Sequence, residues 1–296
     1  NETPMGSYLE KLPDEDRWHL AHYVKSISKP MASDVVVKVK LLESGELPAE
    51  PTDEAWDKLV GVEVPLGGQI IASPRLWTPT ADAVMIKALY SGSEIVFLVE
   101  WDDATNRQED LFRDSVALQF PTKIPESLKK PYFAMGDSSG AVNLWRWKAH
   151  WQEGFGAMAA APETEPGVVS EMNAKGFKNI TTQPAESQGV TGKGVFKNGR
   201  WKVLMKRTLK TEDAKNDIQF EIGKLIPLAF AVWDGSNSDF GGQKSISSWY
   251  YVVLEKPVPK TVFAYVLIAI VIGASVQMWF VARLRRFPPT LDEEQE

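Results

Sequence analysis

The sequence predicts a mainly β fold, an antiparallel β-sandwich with a short N-terminal helix and one C-terminal transmembrane helix. Three observations predict it. Short runs of β-branched and aromatic residues recur from residue 35 to 255, with turn residues between them. No helical periodicity alternates with those runs, so helices covering a parallel sheet are not expected. Near the C-terminus a long stretch carries no charge at all.

Taken in order, residues 13–28 read as the helix. Pro13 suits a first turn, and Asp14, Glu15 and Asp16 complement the positive end of the helix dipole. Leu20, Ala21, Val24 and Ile27 then share one face. Strands follow at 35–41, 84–89, 95–101, 115–120, 142–151, 201–206, 228–233 and 248–254. Tyr90-Ser91-Gly92-Ser93-Glu94 between the second and third reads as a hairpin turn. Residues 159–188 lack clear periodicity and read as a long surface insertion. Residues 262–282 contain one strongly polar side chain, Gln277, and at about 1.5 Å per residue span roughly 30 Å, a hydrocarbon core. Tyr265 and Trp279 stand near the ends, as interfacial aromatics do. Arg283, Arg285 and Arg286 follow this segment, while Lys256 and Lys260 precede it. That bias predicts a cytoplasmic tail and an extracytoplasmic main domain in the cell membrane.

Composition narrows the function classes. The net charge is −6, and the membrane segment and tail carry equal numbers of acids and bases, so the rest of the chain is mildly acidic. Nucleic acid is not the expected partner. There is no cysteine, which excludes disulfides, thiolate zinc, iron–sulfur ligation and covalent haem c within these 296 residues. No phosphate loop, HExxH or placeable Ser/His/Asp set occurs, so no enzymatic chemistry is expected of the chain itself.

Two stretches stand out. One is Phe133-Ala134-Met135-Gly136-Asp137 followed by Val142-Asn143-Leu144-Trp145-Arg146-Trp147-Lys148-Ala149. On a strand, Trp145, Trp147 and Trp151 share one face and make an apolar wall suited to a flat ligand. Met135 has a thioether able to bind a soft metal centre, although a lone Met more commonly fills a core. Arg146 and Lys148 point the other way and read as solvated strand charges. The other stretch is Ala231-Val232-Trp233-Asp234-Gly235, then Phe240-Gly241-Gly242-Gln243-Lys244-Ser245-Ile246-Ser247-Ser248-Trp249. By itself Lys244 would be a solvated loop lysine.

Together these motifs resemble the haem b-binding gamma subunit of the ethylbenzene dehydrogenase, dimethylsulfide dehydrogenase and nitrite oxidoreductase-like molybdoenzyme family. The likeness covers most of residues 60–255. It implies a sandwich holding one non-covalent haem b between apolar walls, a cytochrome b in function. Met135 and Lys244 would be the axial iron ligands, with Trp145, Trp147, Gly241 and Gly242 against the cofactor. His150 is the fallback should Lys244 not bind iron. The implied partners are a molybdopterin catalytic subunit, an iron–sulfur subunit and a cytochrome c-type donor or acceptor. The chain would relay electrons as a non-catalytic subunit of an oxidoreductase complex.

The segment Thr3-Pro4-Met5, Leu12-Pro13-Asp14-Glu15-Asp16-Arg17-Trp18 and Tyr23-Val24-Lys25-Ser26 resembles the end of a class I cytochrome c domain. That likeness implies Met5 as a haem c ligand, with the haem held by an upstream segment or another chain. The opening Asn1 fits removal of something upstream. The expected domains are therefore 1–30 as a cytochrome c-like remnant, 31–257 as the haem b-binding sandwich, 260–284 as the transmembrane helix and 285–296 as a cytoplasmic tail. Two other readings stay open. One is a membrane-anchored carbohydrate- or small-ligand-binding sandwich without haem, since Trp faces also stack on sugars. The other is a structural anchor with no ligand.

Overall fold

The computed structural model describes residues 13, 36–43, 46–105, 112–126, 129–149, 169–257 and 261–285. Residues 14–28 of the expected helix, Met5, His150 and Trp151 lie outside the described residues.

The strands in chain order are β1 (Val36–Leu41), β2 (Val62–Pro65), β3 (Gly67–Gly68), β4 (Ala83–Tyr90), β5 (Glu94–Asp102), β6 (Ser115–Pro121), β7 (Val142–Lys148), β8 (Val169–Ala174), β9 (Ile180–Thr182), β10 (Thr191–Phe196), β11 (Arg200–Thr208), β12 (Leu225–Trp233), β13 (Ser245–Ile246) and β14 (Tyr250–Leu254). Eleven of them form one path, β10-β11-β5-β4-β1-β14-β12-β6-β7-β8-β9, while β2 pairs β4 and β13 pairs β12 and β3. The expected strands are all present. The insertion expected over 159–188 instead contributes β8 and β9. Val169-Ser170-Glu171-Met172 pairs β7 closely but alternates poorly, because the buried side of β8 holds Glu171 as well as Val169.

The path folds on itself into two packed layers. One is β10-β11-β5-β4 with β2; the other is β12-β6-β7-β8-β9 with β13 and β3. β1 turns the corner: Val36 to Val39 pair with β14, while Lys40 and Leu41 pair with β4. Both pairings are parallel, and all other ladders between named strands are antiparallel. β12 turns the opposite corner, with Leu225 to Leu228 on β14 and Ala229 to Trp233 on β6.

Aromatic side chains fill the space between the layers. Phe97 on β5 meets Trp145 on β7 edge-on with centroids 5.9 Å apart, and Trp147 meets Trp201 of β11 at 5.1 Å. Such pairs add roughly 0.5–1.5 kcal/mol to the area each ring buries. Gly194 on β10 is required beside Trp147, since a Cβ there would lie 2.2 Å from the indole Cζ2.

One ion network crosses this core. Arg207 on β11 is fully enclosed and donates to Glu171 Oε1 at 3.1 Å, with Asp217 at 4.0 Å. Its guanidinium lies 4.8 Å from the Trp145 ring, and it also donates to the Ile218 carbonyl. A buried charge of this kind is tolerated only when paired and hydrogen-bonded. Glu171 Oε2 in turn accepts from Gly189 N at 2.7 Å.

The chain divides after Glu255 into the sandwich and a second unit. The second unit contains helix α1 (Thr261–Arg285). At about 1.5 Å per residue α1 is roughly 37 Å long, enough to cross a bilayer. Its span from Ala264 has a mean hydropathy of 2.1, and apolar side chains are exposed all round it. A helix apolar on every side suits a lipid environment.

Candidate functional site

A cleft of about 620 Å³ opens on the outer face of the second layer. Its floor follows from strand register. Ala229, Gln119, Leu144 and Met172 stand in one row across β12, β6, β7 and β8. Ala231, Ala117 and Arg146 stand in the next. Successive side chains on a strand alternate faces. The residues between them, Val116, Leu118, Trp145, Trp147, Phe230 and Val232, therefore belong to the core. Three alanines on the floor keep the space open.

This alternation corrects one expectation. Trp145 and Trp147 are fully buried between the layers and do not line the cleft. The cleft face of β7 is the one carrying Leu144 and Arg146. The two indoles are too apolar and too large for an open wall when a core beside them needs filling. The Trp platform that a sugar-binding reading requires is thus absent from β7.

Met135 enters the cleft from the loop before β7. Its φ is +71° and that of Gly136 is +70°. A left-handed backbone at a non-glycine residue costs about 1 kcal/mol and persists where neighbours enforce it. Gln119 enforces it. Its Nε2 donates to the Phe133 carbonyl at 2.5 Å, and its Oε1 accepts from Met135 N at 3.1 Å. The Met135 carbonyl accepts from Gly176 N at 2.8 Å, and Trp249 Nε1 donates to the Pro131 carbonyl at 2.8 Å. A Cβ on Gly136 would lie 2.8 Å from the Gly140 carbonyl oxygen, so that position needs glycine on two counts.

Lys244 enters from the opposite side, one residue before β13. Its carbonyl accepts from Gln69 N at 3.0 Å. The buried Gln69 side chain bonds the carbonyls of Ala72 and Gly242, both at 2.8 Å, tying the Gly241-Gly242 loop to the neighbouring turn. Gly241 and Gly242 both line the cleft. Trp233 Nε1 donates to the Gly241 carbonyl at 3.2 Å.

Lys244 Nζ and Met135 Sδ face each other at 3.6 Å. Both residues are buried, with 6% and 8% exposure. Burial, aided by the positive charge of Arg146, pulls the Lys244 amine down to about 7 from its ordinary 10.5. No carboxylate among the described residues lies within ion-pair distance of it. Trp233 sits between two cations, its ring centroid 4.2 Å from Arg146 Cζ and 4.9 Å from Lys244 Nζ. Sequence reasoning missed Gln119, Gln69 and Trp233. It placed Arg146 on the correct side of β7 but left it in solvent. The alternation of β7 was the usable signal; the grip of Gln119 on a loop 14 residues away had none.

The arrangement presents two donors, a thioether and an amine that burial makes easier to deprotonate, at one end of a largely apolar cleft. Such a pair suits a borderline-soft metal carried by a hydrophobic ligand. Both side chains are flexible enough to adjust around a metal held between them.

The family model for ethylbenzene dehydrogenase matches residues 53–245, from the turn before β2 to β13. The chain belongs to that family. Three relatives align over 224 residues each. One, assigned as a respiratory nitrate reductase heme subunit in Haloferax mediterranei, is 28% identical over 74% of this chain and 72% of its own. The chlorate reductase gamma subunit of Ideonella dechloratans is 24% identical, covering 73% and 83%. The dimethylsulfide dehydrogenase gamma subunit of Rhodovulum sulfidophilum is 27% identical, covering 69% and 74%. A family 9 carbohydrate binding module of Caldicellulosiruptor kristjanssonii, solved with glucose, overlays 76% of this chain and 97% of its own at 13% identity. Its TM-score is 0.39, a likeness too weak to speak for any ligand.

Proposed function

We propose that this member of the ethylbenzene dehydrogenase family holds one haem b in the cleft and serves as an electron-transfer subunit, not a catalyst. Met135 Sδ and Lys244 Nζ would hold its iron. The observation that carries the reading is their 3.6 Å approach in a buried, apolar setting. Bound there, haem b supplies a one-electron couple whose potential a thioether ligand raises.

The remaining work falls to this chain. Lys244 must be neutral to donate a lone pair, and its burial with Arg146 nearby keeps the amine near the midpoint of its titration at neutral pH. Gln119 and Gln69 hold the two ligand-bearing loops so that little has to be ordered on binding. Phe133, Leu144, Met172 and Ile246 keep water from the ligand side chains. Gly241 and Gly242 let backbone come close to a planar group.

The named relatives support a place in a respiratory complex. We extend the family resemblance to a molybdopterin catalytic subunit and an iron–sulfur subunit as partners, with a cytochrome c-type protein at the other end of the relay. Helix α1 would anchor the subunit, with the sandwich extracytoplasmic and residues 285–296 in the cytoplasm. Met5 would belong to a haem c site completed by another segment or chain.

The test is the visible spectrum of the full protein, oxidised and dithionite-reduced, with a pyridine haemochrome. A low-spin b-type spectrum is expected. Met135→Ala and Lys244→Ala should each give a high-spin or haem-free protein, while His150→Ala leaves the spectrum unchanged. A low-spin spectrum that survives Met135→Ala would falsify the ligand assignment. A featureless spectrum from protein made with haem available would end the haem reading.

A further inference from the structure

Away from the cleft, three aspartates converge where strands of both layers end. Asp103 follows β5, Asp114 precedes β6 and Asp234 follows β12. One carboxylate oxygen from each lies within 4.8 Å of the other two. Asp103 and Asp114 are buried, Asp114 completely. None of the three forms an ion pair with a basic side chain among the described residues.

Most of the carboxylate oxygens are already held in place. Asp114 Oδ1 accepts from Gly235 N at 2.8 Å and Oδ2 from Trp201 Nε1 at 3.0 Å. Asp234 Oδ1 accepts from Ser236 N at 2.8 Å, and Asp103 Oδ1 from Thr105 N at 2.9 Å. One buried oxygen is left over. Asp103 Oδ2 has no hydrogen-bond partner, although its residue is only 7% exposed. The indole N–H of Trp101 is near enough to steady its charge but does not reach hydrogen-bond geometry.

A buried carboxylate oxygen without a partner costs free energy, and two further carboxylates beside it add repulsion. Burial, and next the charge of Asp103, push Asp114 up to about 7. A cation removes both costs together. The donors are all oxygen, with no sulfur or imidazole among them, which selects a hard divalent ion. Calcium accepts such carboxylate oxygens in flexible geometry at roughly 2.3–2.6 Å, whereas magnesium demands a near-ideal octahedron and keeps several of its waters.

We propose that Asp103, Asp114 and Asp234 form a binding site for a divalent cation of the calcium class. The ion would join the two layers at one end of the sandwich, through β5 on one side and β6 and β12 on the other. Asp234 also begins the loop that ends at Lys244, so the same ion would fix the base of that loop. The inference does not depend on haem.

The geometry supplies a probe. Trp201 donates directly to Asp114, so a terbium ion in the site should luminesce when tryptophan is excited. The full protein in detergent, stripped with EDTA, is titrated with terbium and then with calcium. Saturable emission that calcium displaces is expected, together with a calcium-dependent rise in Tm of roughly 5 °C or more. Asp103→Asn should lose both signals. Without added metal that variant should melt no lower than the wild type, because one of three repelling charges is gone. Asp234→Asn, at a less buried position whose loop hydrogen bond an amide oxygen can keep, serves as a second variant should the first fail to fold. Terbium emission absent from the wild type, with no effect of calcium on its Tm, overturns the proposal. So does undiminished calcium binding in a folded variant.

Discussion

Lys244 Nζ lies 3.6 Å from Met135 Sδ, although 109 positions separate the two residues in the chain. Neither side chain reaches the other by local structure. Met135 stands on a left-handed turn held by a glutamine of β6, and Lys244 on a loop held by a glutamine after β3. The approach is therefore a property of the sheet, which brings β6, β7, β12 and β13 side by side.

The lowered pKa of Lys244 makes stability depend on pH in a defined direction. In the unfolded chain the amine keeps its proton up to about 10.5; in the folded, cofactor-free protein it releases it near 7. Between those values unfolding takes up a proton, so stability rises with pH across the window. The contribution is fully present above the window, is lost as pH falls through it, and is constant below. Lys244→Met removes the titration. Urea melts of cofactor-free protein below, inside and above the window should show the wild type losing on the order of a few kcal/mol relative to Lys244→Met as pH falls. A difference independent of pH would contradict the buried, unpaired amine.

Gln119→Leu keeps the volume on the floor of the cleft and deletes both ties to the methionine loop. Met135 N and the Phe133 carbonyl would be left without their buried partner. A loss of about 1–3 kcal/mol in stability is expected. If Met135 ligates haem, Gln119→Leu should also weaken haem retention, read from the Soret absorbance after gel filtration. The fold should remain, because Gln119 points away from the aromatic core.

Gly194→Ala tests how tightly the core is closed around Trp147. The added methyl would sit 2.2 Å from the indole. Either the ring or strand β10 has to move, at a cost of about 1–3 kcal/mol. Thermal melting and near-ultraviolet circular dichroism should both change. An unaltered Tm would mean that β10 stands further from the Trp147 ring than this contact requires.

Glu171→Ala leaves the more distant Asp217 as the remaining carboxylate beside the enclosed Arg207 and removes the acceptor of Gly189 N. Breaking a buried pair from one side costs about 3–5 kcal/mol. The variant should be the least stable of this set in chemical denaturation. Replacing the arginine together with the glutamate by apolar residues should recover part of the loss.

Much of the fold was legible in the residues alone. Short runs of β-branched and aromatic residues marked β1, β4, β5, β6, β7, β11, β12 and β14, and Tyr90-Ser91-Gly92-Ser93-Glu94 announced the hairpin that the Ser91 N to Glu94 carbonyl bond closes. β8 and β9 were not legible, because a strand that buries Glu171 against Arg207 carries a polar residue where alternation expects an apolar one. The parallel pairing of β1 was hidden for another reason. A strand's own residues do not say which distant strands will flank it.

The site was legible in a different way. Met135 and Lys244 drew attention only through the motifs around them, and the structure brings the pair together. The tryptophans of β7 misled, since alternation showed that they share a face but could not say which face is the core. That depends on what packs opposite, and here Phe97 and Trp201 of the other layer claim them. Arg146 and Leu144 were left to line the cleft.

By itself, then, the sequence determined what local chemistry determines: strand periodicity, the turn glycines, an apolar helix long enough to cross a membrane and a chain without thiolate ligands. Only the tertiary structure decided which side of β7 meets solvent, that a thioether and an amine 109 residues apart would meet, and that three aspartates would share one corner. Those outcomes depend on strand order and register, which arise from the packing of both layers together and are encoded in no single segment.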